Sequence, residues 1–173
     1  LWSCFSMEGQ EDSYAWVGPY MYSRQVVAVK DDSPIEHLSD LKDKRVAVRV
    51  GAKAEEILLN QEDADTPEVQ NVFSLDNMSD VVTALRNDYV DACAGYAAAL
   101  RDQLQNDGVN YRFLEEDLSY AKIGVAFSKD GDASVREILQ ETLKAMEADG
   151  TTEQILKNYG VDTDKVLRRG ENE

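Results

Sequence analysis

The hydrophobic positions from Gln25 onward alternate between strand-like runs and helix-like stripes. Four runs predict strands, namely QVVAVK at 25–30, RVAVRV at 45–50, VQNVFSL at 69–75 and YVDACAG at 89–95. Four segments between or after them predict helices, at 33–44, 52–60, 77–88 and 96–105. Strands and helices that alternate over short connections predict a parallel α/β sheet with helices on both faces, in a block of about residues 31–121.

The helix predicted over 77–88 has the clearest apolar face. Val81, Val82 and Leu85 lie on one side of it, and either Asn77 or Ser79 is placed to cap its N-terminus. This side is expected to pack on the sheet.

The C-terminal part of the chain predicts one more strand and two helices. The strand is KIGVAFSKDG, and Gly150 divides the helical segment 135–160. The first of these helices carries an apolar stripe of Ile138, Leu139, Leu143 and Met146. We expect this stripe to dock on a core, as such stripes usually do.

Composition and charge exclude several classes of protein. The 173 residues are 43% hydrophobic and 30% charged, which is an ordinary globular balance. The formal net charge of -16 repels phosphate backbones, so nucleic acid is not expected as a partner. No stretch approaches the roughly 20 consecutive apolar residues of a membrane-spanning helix. The chain begins without methionine on the apolar run LWSCFS, and we expect it to be a piece of a longer protein.

The residues that usually carry catalysis are missing or isolated. The sequence contains no G-x-S-x-G, H-E-x-x-H, Walker lysine or G-x-G-x-x-G motif. His37 is the single histidine and stands among polar residues, as a solvated surface histidine does. Cys4 and Cys93 lack metal-site spacing and are expected to be buried free thiols, although the sequence leaves their redox state open. We expect no enzyme activity, no cofactor and no metal.

Several segments of the chain match the motifs of one protein family. WVGPY at 16–20 is similar to that family's F-S-x-P-Y segment. SPIEHLSDLKDKRVAVRVGAKAEE resembles its run S-x-I-x-x-L-x-D-L-x-G-K-x-V-A-V-x-x-G, with Asp43 where glycine is usual. VVTALRNDYVDACAG resembles A-L-x-x-G-x-V-D-A, and MEADGTTEQILKNYG resembles the family's ending. Together they resemble the bacterial extracellular solute-binding proteins of family 3, the periplasmic amino-acid-binding type, over almost the whole chain.

This resemblance implies an α/β fold of the two-lobed, type II periplasmic-binding class. Residues 1–27 and 122–173 would form lobe 1 and residues 28–121 would form lobe 2. Lobe 1 is expected to be incomplete, because family members usually carry further N-terminal strands and helices. Its exposed apolar sheet face would then be covered by the missing part, or by a second chain through chain exchange or a dimer.

The resemblance also implies a ligand site where the lobes meet and close. In the family a small polar run ending in arginine, a Gly followed by Ser or Thr, and an aspartate grip an amino acid. The matching positions here are Cys4, Ser6 and Gln10, then Gly51, Ala52 and Lys53, and finally Tyr96.

Each of the three elements departs from the family pattern. Gln10 lacks the charge of the arginine that binds a carboxylate, and Tyr96 lacks the charge of the aspartate that receives an ammonium group. Tyr96 is suited to stack on a ring or to bind a neutral polar group, Lys53 supplies a positive charge, and Arg24 is a weaker candidate for a compensating cation. A standard amino acid in the usual pose is therefore not the expected ligand.

The sequence thus predicts an extracytoplasmic small-solute-binding domain, in the periplasm or on the outer face of the membrane. Two uses fit: the receptor of an ABC importer, which docks on a membrane permease, and the input domain of a membrane-anchored sensor. The diverged contacts favour the sensor slightly. An enzyme of the cyclohexadienyl dehydratase type and a ligand-free interaction module are the alternatives. The ligand, the choice between transport and sensing, and the oligomeric state stay open.

Overall fold

The computed structural model describes residues 2–60, 67–105 and 108–167, and for residues 3–5 it describes the backbone alone. The chain divides into two compact units. Unit 1 comprises residues 1–23 and 120–173, and unit 2 comprises residues 24–119. The assignment of residues 1–27 and 122–173 to lobe 1 and of 28–121 to lobe 2 stays a prediction.

In the described part of the chain, strands and helices alternate over residues 45–105, and three helices follow the last strand. The strands are β1 (Trp2–Ser6), β2 (Ala15–Lys30), β3 (Arg45–Arg49), β4 (Asn71–Leu75), β5 (Ala92–Tyr96), β6 (Tyr111–Phe113) and β7 (Ser119–Phe127). The helices are α1 (Lys53–Asn60), α2 (Met78–Arg86), α3 (Ala97–Gln105), α4 (Ala133–Ala148), α5 (Thr151–Asn158) and α6 (Thr163–Leu167). A 3-10 turn lies at Leu38–Leu41.

The sheet of unit 2 brings three strand ends to one edge. β3 pairs in parallel with β4 on one side and with β5 on the other, and β5 pairs antiparallel with β2. Val48 is level with Ser74 of β4 and with Ala94 of β5, while Tyr96 lies opposite Gln25. We call this side of the sheet the carboxyl edge, defined by residues 50–55, 74–77 and 95–97 together with Gln25.

Helices cover both faces of this sheet, as the sequence pattern predicts. On one face, which we call the α2 face, Val26, Ala28, Ala47 and Cys93 pack with the buried residues of α2 and α3. On the other, the α1 face, Val27, Val29, Val46, Val48 and Ala94 pack with Ala54 and Leu58 of α1. The predicted stripe of Val81, Val82 and Leu85 is buried. Asn77 caps α2, since its side-chain oxygen accepts a hydrogen bond from the Asp80 N–H at 2.9 Å.

The helix predicted over 33–44 is wrong in most of its length, because only the 3-10 turn forms there. Side chains replace the usual helical hydrogen bonds. The Arg112 guanidinium donates to the carbonyls of Ser33 and Ile35 at 3.0 and 2.7 Å. The Asp40 carboxylate accepts the N–H groups of Glu36 and His37, both at 2.9 Å. With these backbone groups satisfied, a regular helix has little to gain here.

Two aspartates adopt the backbone conformation that glycine favours. Asp43 has a φ of 60° and Asp88 a φ of 59°. Both stand where the family motifs carry glycine, which tolerates the left-handed region without steric cost. Aspartate is among the few other residues that enter this region, and this explains why the turns keep their geometry.

Unit 1 contains β1, β7 and the first part of β2, in that spatial order, with α4, α5 and α6. Gly18 and Gly124 let its strands approach closely. A Cβ atom at Gly124 would lie 2.9 Å from the Met7 sulfur and 3.1 Å from the Trp16 ring. The expected docking of the α4 stripe is wrong for Ile138, which is 65% exposed because no described element of unit 1 covers it. Leu139, Leu143 and Met146 are half-buried.

Candidate functional site

The N-terminus of α1 lies at the carboxyl edge, directly after β3. Gly51 takes a φ of 70°, which few residues other than glycine adopt, and so turns the chain from strand to helix. The Ala52 N–H donates to the Arg49 carbonyl at 3.1 Å, and Ala52 itself is buried. The predicted strand-turn-helix geometry at Gly51 and Ala52 is confirmed. Whether these residues bind a ligand stays a prediction.

The carboxylate of Glu55 occupies this helix N-terminus. It accepts the Gly51 N–H at 2.6 Å and the hydroxyl of Ser74 at the end of β4. Hydrogen bonds from Ser74 and Gly51 hold the pKa of Glu55 below its ordinary value, so the side chain is ionised at neutral pH. The helix therefore already carries an anion where its unpaired N–H groups favour one. Glu55 is therefore a further candidate residue of this edge.

Sequence reasoning missed Glu55, although a signal was present. An acidic residue in the first turn of a helix often reaches back to an N–H group that precedes the helix. Glu55 stands in that turn of α1, but the run AEE offers two candidates and reads equally well as a solvated acidic face. Only the geometry distinguishes Glu55, which turns back to Gly51, from Glu56, which pairs with Lys53.

Lys53 forms an ion pair with a neighbouring residue of its own helix. Its Nζ lies 2.7 Å from Glu56 Oε1, and both side chains are exposed. An exposed pair of this kind contributes little to stability, yet it neutralises the charge that the sequence predicted for a ligand.

Tyr96 ends β5 at the same edge as Gly51 and Lys53. Its side chain is 36% exposed, and no described residue hydrogen-bonds to its hydroxyl. In unit 2 the structure thus places Gly51, Ala52, Lys53 and Tyr96 at one edge of one sheet, as expected for a shared site.

The predicted residues of unit 1 lie on β1 and in the loop after it. Cys4 belongs to β1, but its side chain lies outside the described residues. The Ser6 hydroxyl donates to the Glu8 carboxylate, which also accepts the Lys122 N–H at 2.7 Å. Gln10 is exposed, and its carbonyl accepts the Trp16 indole N–H at 3.0 Å. Their roles in binding stay predictions.

Arg24 is not a free cation. Its Nε and Nη2 atoms donate to the two oxygens of Asp117 at 2.6 and 2.5 Å. Arg24 is 4% exposed and the Asp117 side chain 0%. This bidentate pair neutralises the charge inside unit 2, so Arg24 does not compensate for the missing arginine at Gln10.

A concave surface at the opposite edge of the sheet has a structural explanation. It has a volume of about 240 Å³ and lies where β3 and β5 begin. Three of the charged residues that line it are paired: Lys30 Nζ lies 2.6 Å from Asp88, and Asp91 accepts from Arg45 at 2.8 Å. The Arg45 guanidinium holds the pKa of Asp91 below its usual range. These pairs fix strand ends and leave no open charge for a ligand among themselves.

Cys93 and His37 are the other residues that the sequence offered for chemistry. Cys93 is free and fully buried, and burial raises the pKa of its thiol to about 12. His37 is exposed, as the sequence indicates. In residues 2–60, 67–105 and 108–167, no three His, Cys, Asp or Glu side chains are arranged to hold a metal ion. Nor does any described helix have the length and apolar character needed to cross a membrane.

Comparison with known proteins gives consistent relatives. Residues 15–166 match the family model described as ABC transporter, phosphonate, periplasmic substrate-binding protein. The chain is 25% identical over 153 residues to "Probable amino-acid-binding protein YxeM" of Bacillus subtilis (strain 168). That alignment covers 87% of this chain and 56% of the relative, so the chain spans little more than half its length.

Solved structures share the fold. One is the substrate binding protein of an amino acid ABC transporter, with a TM-score of 0.61 and 24% identity over 90% of this chain and 68% of that one. Another is the "probable amino-acid ABC transporter extracellular-binding protein ytmK" of Bacillus subtilis, with a TM-score of 0.78 and 16% identity over 92% and 69% of the two chains. The expected two-lobed α/β class and the resemblance to extracellular solute-binding proteins are confirmed. Because the family model covers most of its length, the chain belongs to the family of phosphonate-type periplasmic substrate-binding proteins of ABC transporters.

Proposed function

We propose that the chain is an extracytoplasmic small-solute-binding domain that serves an ABC importer and meets a neutral or cationic group of its solute at the carboxyl edge of unit 2. Family membership and the names of the similar proteins support solute binding and transport. One observation carries the preference for a neutral or cationic group: the Glu55 carboxylate occupies the N-terminus of α1.

An anionic group at this edge would meet an unfavourable field. Two donors at this edge that could bind a carboxylate or phosphonate, the Gly51 N–H and the Ser74 hydroxyl, are already bonded to Glu55. A second anion beside an ionised carboxylate is repelled, and it would have to displace Glu55 from both partners. An ammonium group is attracted by the same carboxylate, and a neutral polar group is not repelled by it.

The cations proposed from the sequence do not offset this preference. Lys53 is paired with Glu56, and Arg24 is paired with Asp117. Gln10 is neutral, so it adds no charge of its own. The phosphonate named in the family description is therefore not the solute that we propose for this chain.

Use as an importer receptor is preferred over the other uses. The matched family model and the similar structures are described as parts of ABC transporters. The sensor input domain, the ligand-free module and chain exchange through unit 1 stay predictions. The dehydratase alternative needs a cleft acid beside an anion-binding arginine, and Arg24 is engaged by Asp117.

A thermal-shift screen of the full chain tests the proposal. The panel comprises amines, amides, neutral polar solutes, L-amino acids, dicarboxylates and methylphosphonate. A solute at 100 times its dissociation constant stabilises by about 2.7 kcal/mol, which raises the melting temperature by about 5–10 °C for a chain of this size. We expect such a shift with a neutral or cationic solute and none with methylphosphonate. Shifts with anions alone would reject the proposed charge preference, and no shift with any solute would reject solute binding.

A further inference from the structure

The side chain of Gln25 is a buried amide without a hydrogen-bond partner. Gln25 is 0% exposed, and neither its amide nitrogen nor its amide oxygen is hydrogen-bonded by any described residue. Buried polar side chains are nearly always paired, so an unpaired one calls for an explanation. Removing an amide from water without replacing its hydrogen bonds opposes folding, and packing alone would favour leucine at this position.

Gln25 lies at the carboxyl edge, directly opposite Tyr96. The two residues are partners in the antiparallel ladder of β2 and β5. Residues directly opposite in such a ladder project from the same face, with their Cβ atoms about 5 Å apart. Gln25 alternates with Val27 and Val29, and Tyr96 with Ala94, so the pair lies on the α1 face, beyond the apolar core. The N-terminus of α1 belongs to the same face and edge.

We propose that Gln25 and Tyr96 form a recognition pair for a carboxamide group of the solute; this rests on the proposed function of unit 2 as a solute-binding unit. The Gln25 amide has one strong acceptor and a donor group, and another amide is its direct complement, with one N–H···O bond in each direction. The Tyr96 hydroxyl, which no described residue binds, supplies a further hydrogen bond, and its ring supplies apolar contact.

The same geometry discriminates against a carboxylate of the same shape. A carboxylate has acceptors only, so one of its oxygens would face the side-chain amide oxygen of Gln25 without a hydrogen between them. Tyr96 is the exposed member of the pair, whereas Gln25 is covered.

Nicotinamide and nicotinate are a matched pair of probes, since they differ only in the amide and the carboxylate. Isothermal titration of the full chain is expected to show nicotinamide bound at least tenfold more tightly than nicotinate. Gln25→Leu is expected to reduce nicotinamide affinity at least tenfold and to raise the melting temperature of the free chain by about 2 °C or more. Gln70→Leu, the same change at an exposed position of unit 2, is the control and should alter neither value.

Several results would overturn this assignment. One is equal affinity for the two probes, or no binding of nicotinamide by the unmodified chain. Another is a Gln25→Leu chain that melts earlier and binds nicotinamide as before, which would make Gln25 a structural residue. A chain that binds another neutral or cationic solute but no carboxamide would reject the pair and keep the proposed function. A chain that binds no solute at all would reject both.

Discussion

Replacing Asp117 with alanine is expected to lower the free energy of unfolding of unit 2 by about 3–5 kcal/mol. The side chains of Asp117 and Arg24 are both buried and are joined by two hydrogen bonds of 2.6 and 2.5 Å. Loss of the carboxylate removes two charge-assisted hydrogen bonds from a guanidinium that stays buried, which costs far more than the pair itself contributes. The neighbouring Leu118 N–H donates to the Gln25 carbonyl at 2.8 Å, so the damage is expected to spread to β2.

Hydrogen exchange of the β5 amides reports this loss in unit 2 directly, because both tryptophans of the chain lie in unit 1. Glu56→Ala is the matched control. It removes a carboxylate from an exposed ion pair and should cost at most about 1 kcal/mol. The double change Arg24→Met with Asp117→Leu should recover most of the stability, since it removes both charges together. Equal effects of Asp117→Ala and Glu56→Ala would contradict the buried pair.

Leu58→Ala is expected to destabilise unit 2 by about 2–5 kcal/mol. Leu58 is 1% exposed and packs on the α1 face with Val46, Val48 and Ala54. Truncation removes apolar burial and leaves a cavity that the surrounding strands fill only in part. Because Leu58 anchors α1 to the sheet, its loss should also loosen the Gly51 turn and the contact of Glu55 with it.

The adjacent residue provides the comparison. Leu59 is 58% exposed, so Leu59→Ala should change the free energy of unfolding by no more than about 0.5 kcal/mol. Urea unfolding followed by circular dichroism measures both variants. If Leu59→Ala costs as much as Leu58→Ala, the packing of α1 described above is wrong.

Much of unit 2 follows from hydrophobic periodicity. The stripe of Val81, Val82 and Leu85 predicts α2 because burial and capping agree there, although the sequence alone leaves Asn77 and Ser79 as alternative caps. The helix predicted over 33–44 does not form because of a residue far along the chain. Arg112 donates hydrogen bonds to two carbonyls that would otherwise accept helical hydrogen bonds. The predicted burial of Ile138 is also wrong. An apolar stripe predicts that a helix has an apolar face, but it does not predict which element covers that face.

The candidate site is less predictable than the fold. The resemblance to a family predicts which positions belong to a site, and it assigned Gly51 and Tyr96 to the same site. A resemblance does not predict hydrogen bonds. Only the structure shows that Glu55 bonds to Gly51 and that Lys53 pairs with Glu56. The sequence does contain an indication that Gln25 is a buried polar residue. Gln25 alternates with Val27 and Val29 along one strand, so its side chain is expected to face inward with theirs.

The central claim is that Glu55 holds the N-terminus of α1 and excludes anions from the carboxyl edge. Phosphorus NMR of methylphosphonate, titrated with the full chain and with Glu55→Ala and Glu56→Ala, tests it most directly. Both changes remove one negative charge from the first turn of α1. Glu56→Ala releases the Lys53 ammonium, whereas only Glu55→Ala frees the Gly51 N–H and the Ser74 hydroxyl, so the control separates the effect of the lysine from that of the freed donors. We predict line broadening and saturable binding with Glu55→Ala alone. Equal binding by the unmodified chain, or identical behaviour of the two variants, would contradict the claim.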